Sequence, residues 1–279
     1  MLVFPHAKIN LGLNVIERRA DGFHEIESVL VSIPLRDALE IIVDPHLPRG
    51  EVVYTRSGLS IDGDIERDLC MRAVRSMGRD HGLPGLRMHL HKVVPMGAGL
   101  GGGSSDGAHA LMLVDRLLHL ELGSEYLYKL AAELGSDCPF FLGSEVALVT
   151  GRGERLSPIA LDLGGLWLMI VNPGLHVSTG EVYANTSPSG KRMDLGEALL
   201  SSTMEEWGSI APNAMEQYVF SAHPEIGKIK QRLLEAGAAH TAMSGSGSSV
   251  FGLFRTEPTS IKWPGGYSNW IFQLPASVE

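Results

Sequence analysis

The stretch Gly97-Ala98-Gly99-Leu100-Gly101-Gly102-Gly103-Ser104-Ser105-Asp106 has the most biased composition of any segment in the chain. Apolar and polar residues alternate over 86–94 just before it, which predicts a strand that stops at Pro95. An Ala/Leu-rich stretch follows it as far as Leu122. A glycine loop that leaves a strand and opens a helix presents backbone N–H groups and the positive end of the helix dipole. The segment therefore predicts a cradle for a polyphosphate.

Other interpretations of this loop fit less well. Gly97, Gly99 and Gly102 match the G-x-G-x-x-G pattern of dinucleotide-binding folds, but the predicted helix is followed by a second helix instead of a parallel strand. The Walker pattern and the short triplets typical of protein kinases are not found in the sequence. A flexible linker, or glycine packed closely against a neighbouring element, is the structural alternative. Ser104 and Ser105 lie where hydroxyls can donate to phosphate or bind a phosphate-bound Mg²⁺.

Composition limits the partners and the compartment. The 279 residues include 23 basic and 32 acidic side chains, for a net charge of −9, which disfavours nucleic acid as a partner. The apolar run at 166–171 is far shorter than the ~20 residues that span a bilayer, so we expect no membrane partner. Cys70 and Cys138 have neither disulfide-framework nor metal-site spacing, which predicts the reducing cytoplasm. The sequence leaves oligomeric state and any protein-bound metal ligands open.

The pattern of the remaining chain predicts two domains, 1–157 and 158–279, because the pattern of elements changes after Glu154. Alternating residues at 7–15 and 25–33 predict two strands joined by a turn. Further strands are expected at 38–43, 51–55, near Val146, at 166–171 and on both sides of 244–248. Helices are expected at 68–77, 126–134, 180–183, 195–207 and 225–236.

Two charged residues are candidates for chemistry beside a bound triphosphate. Asp137 starts a turn that Pro139 stiffens, where backbone N–H groups can orient its carboxylate; the alternative is an ordinary helix cap. Lys8 lies in an apolar strand, with Asn10 two residues later on the same face; the alternative is a solvated strand lysine. Phosphoryl transfer needs a group that aligns or deprotonates the acceptor hydroxyl and a cation for the developing charge.

Three aromatic residues and a second small-residue loop are candidates for binding. Phe23 and His24 follow a turn and can present a ring face and a hydrogen-bonding edge to a planar base; a core Phe with a surface His is the alternative. Tyr183 can supply an opposite wall, although taken alone it fits a core position better. The segment Ser244-Gly245-Ser246-Gly247-Ser248 can meet the first loop around phosphate, or be only a hairpin turn.

These segments, in this order, resemble the GHMP small-molecule kinase superfamily. The resemblance rests on 7–11 with 19–24, on 95–106, on 135–141 and on 243–251, and it covers residues 5 to 255. Within the superfamily, Asp-Gly-aromatic-His after the lysine strand resembles the kinases of cytidine diphosphate-linked methylerythritol. That resemblance implies an α+β fold of two domains, the first like ribosomal protein S5 domain 2 and the second ferredoxin-like, with ATP and substrate in the cleft between these domains.

The resemblance also implies roles for particular residues. ATP donates its γ-phosphoryl group, with Mg²⁺, to the 2-hydroxyl of the methylerythritol moiety. Asp137 matches the base and Lys8 the catalytic lysine. The ATP-binding positions are Pro95, Met96, Gly97, Ala98, Gly99, Leu100, Gly101, Gly102, Gly103, Ser104 and Ser105. The substrate-binding positions are Asn10, Phe23, His24, Tyr183, Gly245 and Gly247, with Phe23 and Tyr183 around cytosine and His24 at its edge.

The chain departs from the family pattern in three places. Phe23 replaces a tyrosine, Ala214 replaces the aspartate of an Asn-Asp-x-Glu motif, and 261–266 match nothing in the family pattern. Two rival functions remain: another superfamily kinase acting on homoserine, mevalonate or a sugar, and a nucleotide-binding regulator without turnover. Phe23-His24 favours the cytidine-containing substrate over the first rival, and the presence of both Lys8 and Asp137 disfavours the second.

Overall fold

Strands and helices are interspersed along the chain in the computed structural model, which describes residues 1–61 and 63–275. The strands in this part are β1 (Leu2–Val3), β2 (His6–Arg18), β3 (His24–Arg36), β4 (Ala38–Val43), β5 (Val52–Gly58), β6 (Leu86–Lys92), β7 (Val146–Gly151), β8 (Arg155–Pro158), β9 (Trp167–Asn172), β10 (His240–Met243), β11 (Val250–Phe254) and β12 (Ser268–Gln273). The helices are α1 (Leu69–His81), α2 (Gly102–Leu118), α3 (Ser124–Leu134), α4 (Thr179–Asn185), α5 (Leu195–Leu200), α6 (Trp207–Ile210), α7 (Glu216–Ala222) and α8 (Pro224–Glu235). Short 3-10 turns lie at Ile65–Arg67 and Cys138–Leu142.

These strands form three four-stranded sheets within the described residues, with the orders β1-β4-β6-β5, β2-β3-β7-β8 and β10-β11-β9-β12. Pairing is antiparallel between β4 and β6, β3 and β7, and β11 and β9, and it is parallel between β5 and β6. Such mostly antiparallel sheets, with helices interspersed, give the predicted α+β fold class.

The chain divides into two compact units, each built from several segments. The first contains Met1–Ala7, Leu35–Met96 and Gly101–Ser144. In it the inward-facing residues of β4 and β6, such as Leu39 and Met88, are buried, and α2 packs on β4 and against α1. Because α2 follows the glycine loop, this packing fixes the direction in which the helix presents its first turn.

The second unit contains Lys8–Pro34, Gly97–Leu100 and the chain from Glu145 onward. Its core joins β2 and β3 with β9, β11 and helices α7 and α8, and includes Val15, Met169, Val219, Ile229 and Val250. Helix α8 packs on β10 and β11. The short loop between β10 and β11 is therefore held on a packed base.

Most of the predicted elements are present with shifted ends, and one difference has a local cause. The helix expected at 195–207 is split into α5 and α6, because Ser201 and Ser202 donate their hydroxyls back to carbonyls of α5 and end it. Helix α7 and strands β1, β8 and β12 were not predicted. The two-domain division at residue 157 stays a prediction. In the described chain, every helix is too short or too polar to cross a membrane.

Candidate functional site

The glycine loop leads from β6 into α2 as predicted. Gly97, Gly99 and Gly101 have φ values of +62°, +77° and +70°, in the left-handed region that side chains disfavour. Helix α2 then starts at Gly102 and runs for 17 residues. The first N–H groups of a helix lack acceptors within the helix, so the loop delivers donors and a partial positive charge at one place.

The second small-residue loop packs directly against the first. The Ser244 hydroxyl donates to the Gly99 carbonyl at 2.8 Å, and the Ser249 backbone N–H donates to the Ala98 carbonyl at 3.1 Å. A Cβ added to Gly99 would lie 1.9 Å from the Ser244 carbonyl oxygen. The expectation that the two loops meet is confirmed. Since β10 and β11 pair antiparallel, the second loop is at the same time a hairpin turn.

Lys8 is buried beside this junction. Its side chain is 3% exposed, and its Nζ donates to Asn10 Oδ1 at 2.6 Å and to the Gly99 carbonyl at 3.0 Å. Asn10 Nδ2 in turn donates to the Ser28 hydroxyl at 2.8 Å. The alternative of a solvated strand lysine is therefore wrong, and the ammonium group is fixed on the glycine loop.

Asp137 lies in the turn before the 3-10 segment Cys138–Leu142, with Pro139 in its first turn as predicted. Its backbone is helical, at φ −83° and ψ −17°, instead of extended as at most helix caps. Burial raises the pKa of the Cys138 thiol to about 12, and a hydrogen bond with the Ser104 side chain opposes that shift. The Ser104–Cys138 contact places the turn that carries Asp137 beside the first turn of α2. Asp137 itself is half-buried.

The predicted aromatic residues are arranged in two ring contacts. His24 stacks on Tyr183 of α4, with ring centroids 4.9 Å apart and an angle of 20° between the planes. Burial, and then the charge of Arg18, lowers the pKa of His24. Phe23 is 50% exposed, and the guanidinium of Arg152 lies 4.7 Å from the centre of its ring. The structure thus brings His24 and Tyr183 together face to face and gives Phe23 a cationic neighbour.

Two residues that support the second loop were not predicted as site residues. Asn213 is buried, and its Nδ2 donates to the carbonyls of Met243 and Gly245, both at 2.8 Å. Glu216 accepts the Met243 N–H at 2.8 Å. The Asn-x-x-Glu spacing was visible in the sequence, but its partners lie about thirty residues away. Ala214, between these two, donates its backbone N–H to the Leu13 carbonyl at 2.8 Å.

Some of the predicted site residues belong to the first compact unit and some to the second. The first unit holds Pro95, Met96, Gly101, Gly102, Gly103, Ser104, Ser105 and Asp137. The second holds Lys8, Asn10, Phe23, His24, Gly97, Ala98, Gly99, Leu100, Tyr183, Gly245 and Gly247. The Ser105 hydroxyl is buried, 3.3 Å from His109 Nδ1, so Ser104 is the half-buried hydroxyl of the pair.

Two regions of the chain match models of the same protein family. Residues 68–144 match the model of the GHMP kinases N terminal domain, and residues 196–262 match that of the GHMP kinases C terminal domain. A 4-diphosphocytidyl-2-C-methyl-D-erythritol kinase from Parabacteroides distasonis is 41% identical over 277 residues, which cover 98% of this chain and all of that protein. The chain belongs to the 4-diphosphocytidyl-2-C-methyl-D-erythritol kinase family of GHMP kinases.

Solved structures agree with this membership and confirm the expected fold. A crystal structure of a 4-(cytidine 5'-diphospho)-2C-methyl-D-erythritol kinase superposes with a TM-score of 0.73 at 34% identity, covering 91% of this GHMP kinase and 90% of that chain. A homoserine kinase from Cytophaga hutchinsonii superposes with a TM-score of 0.67 at 17% identity, covering 99% and 95% of the two chains. At that identity the second likeness shows the fold alone.

Proposed function

We propose that this GHMP kinase transfers the γ-phosphoryl group of ATP to the 2-hydroxyl of 4-diphosphocytidyl-2-C-methyl-D-erythritol, in non-mevalonate isoprenoid biosynthesis. The observation that carries the proposal is the 41% identity to a kinase of that name over nearly the whole chain. The loop, the buried lysine and the aspartate turn described above provide the parts that such a transfer needs. The same parts give no reason to favour homoserine, mevalonate or a sugar as acceptor.

The glycine loop, residues 95–105, is the proposed ATP site. Its left-handed glycines turn the backbone without side chains in the way, and Gly103 and Ser104 in the first turn of α2 are half-buried and so within reach of a ligand. N–H groups at this helix end suit phosphate oxygens, which accept hydrogen bonds and carry negative charge. Residues 95–105 would therefore hold the triphosphate through backbone donors rather than through lysine or arginine.

Mg²⁺ is the proposed cofactor, and it would be bound together with ATP. A Mg²⁺ ion held through phosphate oxygens needs only one or two protein ligands. The half-buried Ser104 hydroxyl fits such a ligand, because it is an oxygen in the first turn of α2. When bound, Mg²⁺ neutralises charge on the phosphates during transfer.

Asp137 and Lys8 are the proposed catalytic residues. Asp137 would accept the proton of the acceptor hydroxyl late in the transfer, and its place beside Ser104 and Cys138 suits that role. Lys8 would stabilise the ionised carboxylate and the negative charge of the moving phosphoryl group. The Gly99 carbonyl and Asn10 Oδ1 hold the lysine ammonium in place, so its charge needs little reorganisation.

The cytidine end of the acceptor is proposed to bind near Phe23, His24 and Tyr183. Phe23 offers a half-exposed ring face for stacking, and the imidazole of His24 carries a donor and an acceptor for the base edge. Asn10, Gly245 and Gly247 are the residues proposed to contact the remainder of the acceptor. Gly245 and Asn10 are neighbours, since a Cβ added to Gly245 would lie 3.4 Å from Asn10 Oδ1.

A net charge of −9 supports a small-molecule substrate over nucleic acid, and we propose no membrane partner. Two free, buried cysteines, Cys70 and Cys138, support a cytoplasmic location. The chain is proposed to divide into the domains 1–157 and 158–279.

A coupled assay of ADP release tests the proposal. Purified protein with ATP and Mg²⁺ is given the cytidyl substrate, homoserine or mevalonate in separate reactions. The expected result is ADP release with the cytidyl substrate, at a kcat/KM at least about a hundredfold above the others, since the pocket is built for a base. ADP release with homoserine or mevalonate instead would identify the rival kinases. Binding of an ATP analogue without ADP release would identify a regulator.

A further inference from the structure

A buried lysine ends strand β6, just before the glycine loop. Lys92 is 1% exposed and lies on the same face of the strand as Leu86, Met88 and Leu90. Its Nζ donates to Asp37 Oδ2 at 2.5 Å and to Asp106 Oδ2 at 2.6 Å. Lys92, Asp37 and Asp106, called the buried triad below, form a cluster of one cation and two carboxylates in the core of the first unit.

The buried triad holds both ends of the glycine loop. Asp37 Oδ1 accepts the backbone N–H groups of Val93 and Val94, at 2.6 and 2.8 Å, where the chain leaves β6 for the loop. Asp106 is in α2, one turn after the loop. A single ammonium group, that of Lys92, therefore connects the segment that enters the loop to the helix that leaves it.

Gly102, the first residue of α2, packs on this cluster. A Cβ added there would lie 2.9 Å from Lys92 Nζ and 2.9 Å from Val94 Cγ1. Two carboxylates fix the ammonium group, so Lys92 has little room to move away. The start of the helix is thus in contact with the triad, and its position depends on where the triad holds Lys92.

We infer that the buried triad positions the glycine loop for nucleotide binding, so that Lys92, Asp37 and Asp106 act on ATP affinity without touching ATP. The inference rests on the proposed nucleotide role of the loop. The span between Val94 and the first turn of α2 sets how the loop glycines turn, and hence where their N–H groups point. A loop whose ends are fixed loses less conformational entropy when it orders around phosphates.

A role in stability alone does not account for the triad. Asp106 Oδ1 is buried and has no hydrogen-bond partner in the described part of the chain. Burial raises the pKa of Asp106 above its usual range, against the opposing charge of Lys92. Desolvation of this kind makes buried ion clusters poor stabilisers, and apolar replacements often leave a protein equally stable. Stability and loop geometry can therefore be separated by removing all three charges together.

The decisive variant is the uncharged triple substitution Asp37→Asn, Lys92→Met and Asp106→Asn. The amide that replaces the Asp37 carboxylate retains an oxygen for the N–H groups of Val93 and Val94. Binding of a non-hydrolysable ATP analogue with Mg²⁺ is measured by calorimetry, and amide hydrogen exchange over residues 95–105 is measured without nucleotide. We expect the Kd to rise about tenfold or more, since charge-assisted bonds at both loop ends are lost. We also expect faster exchange in the loop while the rest of sheet β1-β4-β6-β5 is unchanged.

A single substitution and a matched control complete the test. Asp106→Asn weakens one bond of the triad with little change of shape, and we expect a several-fold rise in Kd and in the KM for ATP, with kcat nearly unchanged. Asp44→Asn is the control, because Asp44 accepts the Arg87 guanidinium at 2.5 Å near the other end of β6. We expect the control to bind the analogue and to exchange its loop amides as the wild type does.

The outcomes separate the inference from the proposed function. Wild-type Kd and loop exchange in the triple variant would overturn the inference; if that variant does not fold, the same result for Asp106→Asn would overturn it. Wild-type protein that binds no ATP analogue would overturn the proposed nucleotide site, whereas the exchange measurement, made without nucleotide, would still decide whether the triad orders the loop. Equal loss of affinity in Asp44→Asn would also overturn the inference, because it would show a general loss of stability.

Discussion

The carbonyl oxygen of Ser244 occupies the space that a side chain at residue 99 would need. A Cβ built on Gly99 would come within 1.9 Å of that oxygen, and the Gly99 carbonyl accepts the Ser244 hydroxyl at 2.8 Å. Because the Ser244 oxygen belongs to the backbone, movement of a side chain could not relieve a clash with a Cβ at residue 99. The contact makes the two small-residue loops a single rigid junction, with Lys8 fixed on the same carbonyl at 3.0 Å.

Gly99→Ala is therefore expected to disrupt the junction. The clash adds to the strain of a left-handed backbone at φ +77°, which alone costs ~1–2 kcal/mol. We expect loss of ATP-analogue binding and a lower melting temperature, measured by calorimetry and thermal unfolding. Gly123→Ala is the matched control, since Gly123 has φ +74° with open space around it. If both variants bound the analogue equally, the close contact would be unimportant for the site.

Asp137→Asn tests the proposed base. The amide keeps the shape of the carboxylate but cannot accept the proton, so kcat for the cytidyl substrate is expected to fall by ~10²–10⁴. Affinity for the ATP analogue should stay within about twofold, since nucleotide contacts are not removed. Asp115→Asn serves as the control, because Asp115 accepts the Leu122 N–H in the same unit. Near-normal turnover of Asp137→Asn would refute the assignment of the base.

Lys8→Met tests the proposed cation. Met fills the buried space without a charge, so kcat is expected to fall by ~10²–10³ as stabilisation of the moving phosphoryl group is lost. Lys8 and Asp137 should act as a unit, so the double variant with Asp137→Asn should be no slower than the slower single variant. Lys129→Met, at an exposed position, is the control. Multiplicative losses in the double variant would show that the two residues act independently.

The sequence predicts the local parts of the site, because their signals are short-range. The period of two in β2 places Lys8 and Asn10 on one face, and the structure joins them at 2.6 Å. The run of small residues at 97–103 predicts a loop before a helix, and α2 begins there. Pro139 predicts a turn after Asp137, and a 3-10 turn follows.

What the sequence could not predict depends on residues far apart in the chain. The buried ammonium of Lys8 donates to the carbonyl of Gly99, which lies 91 residues later in the chain. His24 stacks on Tyr183, which lies 159 residues later. Lys92 continues the apolar register of β6, but its partner Asp37 lies 55 residues away. The sequence shows that Lys92 occupies an apolar position of the strand, which indicates a buried charge. Only the fold shows that Asp37 and Asp106 neutralise that charge.

His240 gives the protein an acid-sensitive core. It is 3% exposed between Trp207 and Phe251, and its ring nitrogens have no hydrogen-bond partner among the described residues. Burial, and then the charge of Lys230, lowers the pKa of His240 from 6.5 to about 4. As the pH falls below 6.5, His240 becomes protonated in the unfolded chain but stays neutral in the folded chain. The folded state therefore loses stability between pH 6.5 and 4.

His240→Leu should remove part of this loss. Between pH 7 and pH 5 the wild type is expected to lose about 2 kcal/mol through this residue, and the variant should lose that much less in urea unfolding. His6, whose pKa burial also lowers to about 4, keeps some acid sensitivity in the variant. His81→Leu, at an exposed site, should follow the wild type. Equal pH dependence of His240→Leu and wild type would contradict the prediction.

Phe23→Leu tests the recognition of cytosine, and its outcome separates this acceptor from smaller ones. Leucine keeps an apolar side chain but removes the ring face, so the KM for the cytidyl substrate is expected to rise about tenfold, while the KM for ATP is unchanged. Phe23→Tyr should retain the wild-type KM, since stacking needs only the ring. Phe4→Leu is the control, as Phe4 is 54% exposed and plays no proposed part in binding. An unchanged acceptor KM in Phe23→Leu would mean that the base stacks elsewhere, because the half-exposed face beside Arg152 is the one that Phe23 offers.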